Sequence, residues 1–229
     1  MQTGDTAILD EAWPAMTRYM GTLLSSNPDH LWQHQLGIGF GDWLSPEGHT
    51  DDGLIATAYW AYDAQLMQQM AHALGKQQEE QRYSSLFDGI RAAFQKTYLH
   101  GDGVVAWPQE KSPSTLVQTQ TGYTLALHMN LLPADQRAAA AQHLVDRIAG
   151  NHWLIGTGFL GTPYLLEVLS DTGHSEAAYK LLLNTSYPSW GYMVEHGATT
   201  MWERWNGDKM LNDPGMNSCL LYTSDAADE

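Results

Sequence analysis

The chain has 229 residues, of which 43% are apolar and 10% aromatic, and a formal net charge of −15. These values fit one large domain or two small ones with a real hydrophobic core, and they exclude wholesale disorder. With 11 basic against 26 acidic residues, a basic stripe for phosphates is excluded, so nucleic acid is not an expected partner. No apolar run reaches the roughly 18–20 residues that span a bilayer, so a membrane is not expected either. The compartment stays open.

Apolar side chains recur at helical spacing through most of the chain. The predicted helical segments are 5–26, 54–75, 78–99, 119–132, 134–149, 162–172 and 175–185. Asp5 is a candidate N-cap, Pro14 is expected to kink or break the first helix, and Gly75 is a candidate C-cap. No alternating strand pattern is evident, so the sequence predicts an all-α fold.

Long, irregular loops separate the predicted helical pairs at 27–53, 100–118 and 186–215. Two architectures fit repeated helical hairpins: an open solenoid that binds protein, and a closed barrel of hairpins. An open solenoid is expected to have short loops and a fixed period. The long aromatic loops favour a barrel that carries its function at one rim.

The C-terminal end reads CLLYTSDAADE and begins at Cys219, the single cysteine of the chain. One cysteine excludes a disulfide framework and a cysteine metal site. Residues 219–229 resemble the in-frame translation of a transposon-end adaptor used for sequencing libraries. We therefore predict that residues 1–218 form the domain, part of a longer one, and that residues 219–229 are not native.

Tryptophan and tyrosine dominate the aromatic side chains, with nine Trp and eleven Tyr against four Phe. Such side chains combine a flat apolar face with a polar edge, which suits sugar rings, although a Trp-rich helical core gives the same composition. The segment ATTMWERWNG places Glu203 between Trp202 and Trp205. Glu203 is either one half of an ion pair with Arg204 or a working carboxylate in an aromatic pocket.

The loop motifs follow one another in a fixed order along the chain. They are GFGDWLSPEG (39–48), QTQTGYTLALHMNLLP (118–133), GTGFLGTPYLLEVLSDTGHSEAAYKLLL (156–183), PSWGYMVEHGATTMWERWNG (188–207) and MNS (216–218). Together they resemble the catalytic domain of bacterial α-L-rhamnosidases, glycoside hydrolase family 78. The resemblance implies an all-α (α/α)6 toroid of six hairpins, of which this chain would hold about seven of twelve helices.

The same resemblance implies an enzyme that hydrolyses terminal α-L-rhamnosyl residues of glycosides with inversion. It assigns Glu203 as the general base that deprotonates the attacking water. The family's general acid lies in an acidic, Arg-containing segment upstream, and residues 1–50 contain no such segment. The chain as given is therefore expected to be inactive on its own.

The resemblance also assigns sugar-binding residues. Asp42 and Trp43 match a position where the tryptophan packs on the sugar ring; alternatively, Trp43 anchors its loop and Asp42 forms an Asx-turn. Trp190 and Tyr192 either line the pocket or pack the loop. Trp202 and Trp205 flank Glu203 as shield and sugar platform.

Three glycines of the GTGFLGTP motif, Gly156, Gly158 and Gly161, are expected to permit close backbone approach, and Phe159 between them is expected to be structural. Thr162 and Pro163 fit an N-cap followed by the first helical residue. No metal or other cofactor is expected, because His30 and His34, although four residues apart, lack an accompanying HExxH pattern.

Two alternatives to a rhamnosidase stay open from the sequence. One is a hairpin-barrel glycosidase acting on a different sugar, because pocket contacts rather than fold set specificity. The other is a non-catalytic helical scaffold. A concave surface lined by Trp43, Trp190 and Glu203 is expected for a glycosidase, and a continuous groove along the helices for a scaffold.

Overall fold

The computed structural model describes residues 5–34 and 39–210. Within these residues the chain forms eight α-helices and four short β-strands. The helices are α1 Ala7–Ser26, α2 Asp52–Ala73, α3 Gln77–Tyr98, α4 Gln120–His128, α5 Arg137–Gly150, α6 Thr162–Asp171, α7 Ser175–Leu182 and α8 Trp190–Glu195. The strands are β1 Leu99–His100, β2 Val104–Val105, β3 Trp107–Gln109 and β4 Ser112–Val117.

The predicted helices are found in the structure, and the mostly helical architecture confirms the predicted fold class. Helices α1 to α7 correspond to the seven segments with apolar periodicity, although several ends differ by a few residues. Helix α8 lies inside the predicted loop 186–215 and has six residues. This is fewer than two turns at 3.6 residues per turn, so the helix is too short to show an apolar periodicity in the sequence.

The expectation of no strands is wrong for residues 99–117. Strands β1 and β2 pair antiparallel, with Leu99 opposite Val105, and β3 pairs antiparallel with β4, with Trp107 opposite Val117. The strands have two to six residues, too few to display an alternating pattern. The central residues of β4 are exposed, so its sequence lacks the apolar face by which a strand is recognised.

The chain divides into two compact units. Among the described residues, the first unit comprises 5–34, 39–41, 50–118 and 125–140, and the second comprises 42–49, 119–124 and 141–210. Helices α4 and α5 each contribute residues to both units. Two motif-bearing loop segments, 42–49 and 156–161, therefore belong to one unit although they are far apart in sequence.

In the first unit, α2 and α3 pack against each other as a helical hairpin that turns at Gly75. Trp60, Ile90 and Phe94 are fully buried in this unit, and burial of each such side chain contributes about 1.5–3 kcal/mol. Asp51 caps α2, because its Oδ1 accepts hydrogen bonds from the Leu54 amide and from the Tyr98 hydroxyl. The hairpin is thus fixed at both of its ends.

The structure confirms some of the predicted helix features of the first unit and differs from others. Gly75 has a φ of 68° and follows the C-cap residue Leu74, which confirms its predicted role at the end of α2. Asp5 accepts a hydrogen bond from the Ala7 amide at 2.9 Å, but the N-cap of α1 is Thr6. Helix α1 continues through Pro14 without a break.

In the second unit, α6 and α7 form a hairpin around Gly173, which has a φ of 85°. Leu165, Leu169 and Leu181 are fully buried in this unit. The N-cap of α6 is Gly161 rather than Thr162, and Pro163 lies in the first turn. The Thr162 hydroxyl shares a hydrogen bond of 2.7 Å with the Thr157 hydroxyl, so it is not available to cap the helix.

Residues 211–229 lie outside the part of the chain that the structure describes. The predicted domain end at Ser218 and the predicted adaptor translation at 219–229 fall there and stay predictions. Among the helices of residues 5–34 and 39–210, none has both the length and the hydropathy required to cross a bilayer.

Candidate active site

The second unit contains a cavity of about 530 Å³. A volume of this size is typical of small-molecule sites. Its walls are mostly apolar and aromatic, with a single carboxylate, Glu203, among the described residues that line it. The lining residues are Leu44, Gly158, Phe159, Thr162, Pro163, Leu166, Leu182, Trp190, Met193, Met201, Trp202, Glu203 and Trp205.

Tryptophans line this cavity together with Glu203. Trp190 is the first residue of α8, and the Ser189 hydroxyl caps that helix by accepting a hydrogen bond from the Tyr192 amide. The Trp190 and Trp205 rings meet edge to face, with centroids 5.6 Å apart and an interplanar angle of 83°. Trp205 is buried, whereas Trp202 and Glu203 are half-buried. The carboxylate therefore lies in a wall that is partly shielded from bulk water.

The Asp42 carboxylate is buried and makes four hydrogen bonds within the second unit. Oδ2 accepts from the Thr121 hydroxyl and, at 2.7 Å, from the Gly158 amide. Oδ1 accepts from the Leu160 amide at 2.7 Å and from the Gly161 amide at 3.2 Å. These donors come from distant segments, so the side chain does not form the local Asx-turn that was one of the alternatives.

Trp43 lies beside the cavity loops but is not one of the lining residues in the described chain. Its side chain is 42% exposed, and its carbonyl accepts a hydrogen bond from the Phe159 amide at 3.0 Å. The following residue, Leu44, has a φ of 60° and does line the cavity. This hydrogen bond joins the Trp43 backbone to the neighbouring loop, and the sugar-binding and anchoring roles of its exposed ring both stay predictions.

The three glycines of the GTGFLGTP motif do permit close approach, as predicted. A Cβ on Gly156 would lie 2.7 Å from the Gln120 side chain, and a Cβ on Gly161 would lie 2.7 Å from the Thr121 hydroxyl. A Cβ on Gly158 would collide with the Trp43 carbonyl oxygen. Phe159, expected to be structural, lines the cavity.

Glu47 is a second carboxylate, half-buried, that sequence reasoning did not single out, although it lies in the same GDWLSPEG motif. It accepts a hydrogen bond from the Gln120 amide at 2.7 Å and forms an ion pair with Arg147. Burial raises the pKa of Glu47, and the Gln120 amide and the Arg147 guanidinium counteract this rise. Its partners are 73 or more residues away in sequence, so no local pattern reveals it.

Tyr192 packs within its loop rather than bordering the cavity. Its ring stacks on His196 with centroids 3.9 Å apart, and its hydroxyl donates a hydrogen bond to Asp208 at 2.9 Å. Tyr192 is not among the cavity-lining residues of the described chain. Of the two alternatives for Tyr192, the geometry favours loop packing.

No group of three or more His, Cys, Asp or Glu side chains in residues 5–34 and 39–210 is arranged to hold a metal ion. His30 instead stacks on Trp60, with centroids 6.4 Å apart. Its ring lies over Gly89, where a Cβ would lie 3.2 Å from it. His30 is therefore part of the packing of the first unit.

A family model described as the bacterial alpha-L-rhamnosidase 6 hairpin glycosidase domain matches residues 1–226. The chain belongs to this family. The chain is 41% identical over 227 residues to an α-L-rhamnosidase of Streptomyces avermitilis and 37% identical over 240 residues to one of Formosa agariphila. These matches cover 96% and 100% of the chain but 20% and 24% of the relatives. The chain thus spans about a fifth to a quarter of their length.

Solved structures agree with this membership of the six-hairpin glycosidase family. The crystal structure of the Streptomyces avermitilis α-L-rhamnosidase complexed with L-rhamnose matches 94% of this chain and 20% of its own, with a TM-score of 0.79 at 41% identity. The native enzyme from Aspergillus terreus matches 94% of this chain and 25% of its own, with a TM-score of 0.80 at 31% identity. The family resemblance drawn from the sequence motifs is therefore confirmed.

Within this six-hairpin domain, the residues predicted to act on the sugar fall into two groups. Trp190, Trp202, Glu203 and Trp205 line one cavity. Asp42, Trp43 and Tyr192 support the loops around it through the contacts described above. Met193 and Met201 complete the apolar wall, and no feature of the sequence distinguishes them from core residues.

Proposed function

We propose that the chain is part of an inverting α-L-rhamnosidase, in which Glu203 is the general base and the 530 Å³ cavity belongs to the sugar site. The single observation that carries the proposal is the cavity wall itself, in which one carboxylate lies among Trp190, Trp202 and Trp205. The names of the relatives supply the sugar: each of the two compared in sequence is an α-L-rhamnosidase. The expected partner is a rhamnose-containing glycoside or oligosaccharide.

The chemistry of inversion explains why a carboxylate belongs in this wall. The base removes a proton from a water molecule that attacks the anomeric carbon, while a carboxylic acid on the opposite face protonates the leaving oxygen. The two carboxyl groups lie roughly 6.5–9.5 Å apart in such enzymes to leave room for the water. Glu203 borders a space large enough for both the water and the sugar.

The aromatic wall supports binding of a sugar ring. Indole faces pack against the C–H faces of a pyranose, and their N–H edges are available to its hydroxyls. L-Rhamnose is a 6-deoxy sugar, so one corner of its ring carries a methyl group rather than a hydroxymethyl. The apolar side chains of Leu44, Phe159 and Met193 suit such a methyl group.

The general acid is proposed to come from outside the described lining residues. Glu203 is the only carboxylic side chain among them, and inversion requires a second carboxyl group. The purified 229-residue chain is therefore expected to leave an aryl α-L-rhamnoside intact. Measurable hydrolysis by this chain would contradict the proposed absence of the acid.

A chimera tests the role of Glu203. The matching segment of the Streptomyces avermitilis α-L-rhamnosidase is replaced by residues 1–210 of this chain, and the host supplies the remainder. Glu203→Gln is expected to lower kcat on an aryl α-L-rhamnoside by about 10²–10⁴-fold, because a general base contributes about that much. Proton NMR of the first-formed product is expected to show the inverted anomer.

The matched control is Glu195→Gln, the same chemical change at an exposed residue of α8. It is expected to leave kcat within about twofold, since an exposed carboxylate away from the cavity contributes little. Equal losses from both variants would reject Glu203 as the base. A chimera that hydrolyses another glycoside faster than the rhamnoside would favour the alternative of a different sugar specificity.

A further inference from the structure

Two loop segments of the second unit meet at the cavity, and we call them the GDWL loop (residues 42–47) and the GTGFLG loop (residues 156–161). Each contributes to the cavity wall: Leu44 from the first, and Gly158 and Phe159 from the second. We propose that Asp42 is a positioning residue that holds the GTGFLG loop against the GDWL loop and so fixes this wall of the sugar site. The inference rests on the proposed function for its connection to sugar binding.

The number and type of donors at Asp42 carry the proposal. An ionised carboxylate is an acceptor with about four lone-pair positions, and Asp42 receives four donors, two on each oxygen. Three of these donors are backbone amides of the GTGFLG loop, and the fourth is the Thr121 hydroxyl in α4. Hydrogen bonds to an ionised acceptor are about twice as strong as neutral ones. One side chain therefore holds three amides of a six-residue loop at one point.

The GTGFLG loop has a further reason to require this carboxylate. The Leu160 and Gly161 amides stand at the beginning of α6, where helix geometry leaves backbone N–H groups without intrahelical partners. Gly161, the N-cap residue, has no side chain to cap the helix. Asp42, from 118–119 residues away, accepts from the Leu160 amide just before the helix and from the N-cap amide of Gly161. The helix dipole favours a negative charge at this end.

Additional contacts seat the two loops on each other without involving the Asp42 side chain. The Phe159 amide donates to the Trp43 carbonyl at 3.0 Å, and the Ser45 hydroxyl donates to the Gly156 carbonyl at 2.6 Å. These bonds set the distance between the loops. The Asp42 bonds set the direction of the loop amides, because both carboxylate oxygens must face them at once.

Direct sugar contact by Asp42 is the competing interpretation, and it makes a different prediction. A sugar-binding carboxylate would need free acceptor positions, whereas the four bonds to the protein occupy those of Asp42. Loss of a sugar contact would weaken binding without changing the free protein. Loss of a positioning residue would change the loops before any sugar is added.

The test uses the 229-residue chain and the variants Asp42→Asn, Thr121→Val and Thr121→Ser. Asn replaces one acceptor oxygen by an NH₂ group that faces other donors, Val removes the hydroxyl donor while keeping a similar shape, and Ser restores the hydroxyl. Amide hydrogen exchange is measured at Gly158, Leu160 and Gly161. NMR shifts of Leu44 and Phe159 are recorded, and L-rhamnose is titrated by ligand-observed NMR.

For Asp42→Asn, exchange at the three loop amides is expected to accelerate about tenfold or more, with shift changes at Leu44 and Phe159. Amides of the first unit, such as Ile90, are expected to keep their protection. L-Rhamnose binding is expected to weaken by about tenfold. Thr121→Val is expected to give the same changes at smaller size, and Thr121→Ser to restore the original exchange and shifts.

Unchanged exchange and shifts in both Asp42→Asn and Thr121→Val would overturn the proposal. Faster exchange at every amide of the Asp42→Asn and Thr121→Val variants would also overturn it, because that result means a general loss of stability rather than a local change in the loops. Weaker L-rhamnose binding with unchanged loops would favour direct contact and reject positioning. Absence of L-rhamnose binding by the unsubstituted chain would count against the proposed function, while exchange and shifts still decide whether Asp42 positions the loops.

Discussion

The close approach of the GDWL and GTGFLG loops predicts opposite effects for the same substitution at two glycines. A Cβ on Gly158 would collide with the Trp43 carbonyl oxygen and lie 2.6 Å from the Asp42 carbonyl oxygen and 2.7 Å from the Ser45 amide nitrogen. All three are backbone atoms, so no flexible side chain can move aside. Gly21 lies inside α1, and nothing is within 4 Å of its added Cβ.

The expected magnitudes follow from these surroundings. Gly158→Ala must separate the two loops, which costs about 1–3 kcal/mol as overpacking, and it weakens the bond from the Gly158 amide to Asp42, which contributes about 1.5–3 kcal/mol. Alanine also lowers the conformational entropy of the unfolded chain, which stabilises the folded state by about 0.4–1 kcal/mol. Together these contributions predict that the second unit loses about 1.5–5.5 kcal/mol of stability. Gly21→Ala should gain about 0.5–1 kcal/mol from helix propensity.

Amide hydrogen exchange suits this comparison because the two compact units need not unfold together. The slowest-exchanging amides near Leu169 report the second unit, and those near Ile90 report the first. Gly158→Ala is expected to lower protection at Leu169 and leave protection at Ile90 unchanged. Gly21→Ala is expected to raise protection at Ile90 and leave protection at Leu169 unchanged. If protection at Leu169 stays within about 0.5 kcal/mol of the original chain, the loops can separate freely and the reasoning from close approach is refuted.

Buried charge provides the remaining predictions. Arg147→Met should destabilise the second unit by about 1–3 kcal/mol in a urea titration at pH 7, since it leaves the half-buried Glu47 carboxylate without its cationic partner. Arg91→Met breaks an exposed pair and should change stability by less than about 1 kcal/mol, so equal losses would mean that the half-buried pair contributes no more than an exposed one. Burial raises the pKa of Asp63 to about 6, so the folded chain binds more protons than the unfolded chain between pH 4 and 6, and stability should fall as pH rises through that window. Asp63→Asn should abolish this fall and raise the free energy of unfolding at pH 8 by about 1–2 kcal/mol, after allowance for the partial exposure of Asp63. A stability–pH profile identical to that of the original chain would contradict this prediction.

Helical periodicity predicted most of the fold because the long helices bury one face. In α3 and α6, most buried residues recur every three or four positions, whereas α2 buries residues around most of its circumference and is recognised by its length and apolar content. The failures have a common cause. Helix α8 and strands β1 to β3 are too short to display a period, and β4 lacks an apolar face. The strands pair with close neighbours in sequence, but their own residues carry no alternating pattern.

The site was predicted only in part, since resemblance supplies residue identity but not the partners that a residue makes. Trp202, Glu203 and Trp205 line one cavity and are neighbours in sequence, while the roles predicted for them stay predictions. Asp42 was expected to touch the sugar, whereas its four hydrogen bonds come from residues 79 to 119 positions away. No local pattern encodes such bonds, so a substrate role and a positioning role look alike in the sequence.

Position relative to the cavity separates Glu203 from Asp42 and Glu47, the two other carboxylates of the second unit described above. A general base must offer a lone pair to water. Asp42 has both oxygens engaged by four donors, and Glu47 is engaged by an amide and a guanidinium. Glu203 borders a cavity wide enough for water and a sugar ring. Asp42 and Glu47 accept hydrogen bonds from neighbouring segments of the protein, whereas Glu203 lies in the cavity wall. That position is the one required by the base role proposed for Glu203.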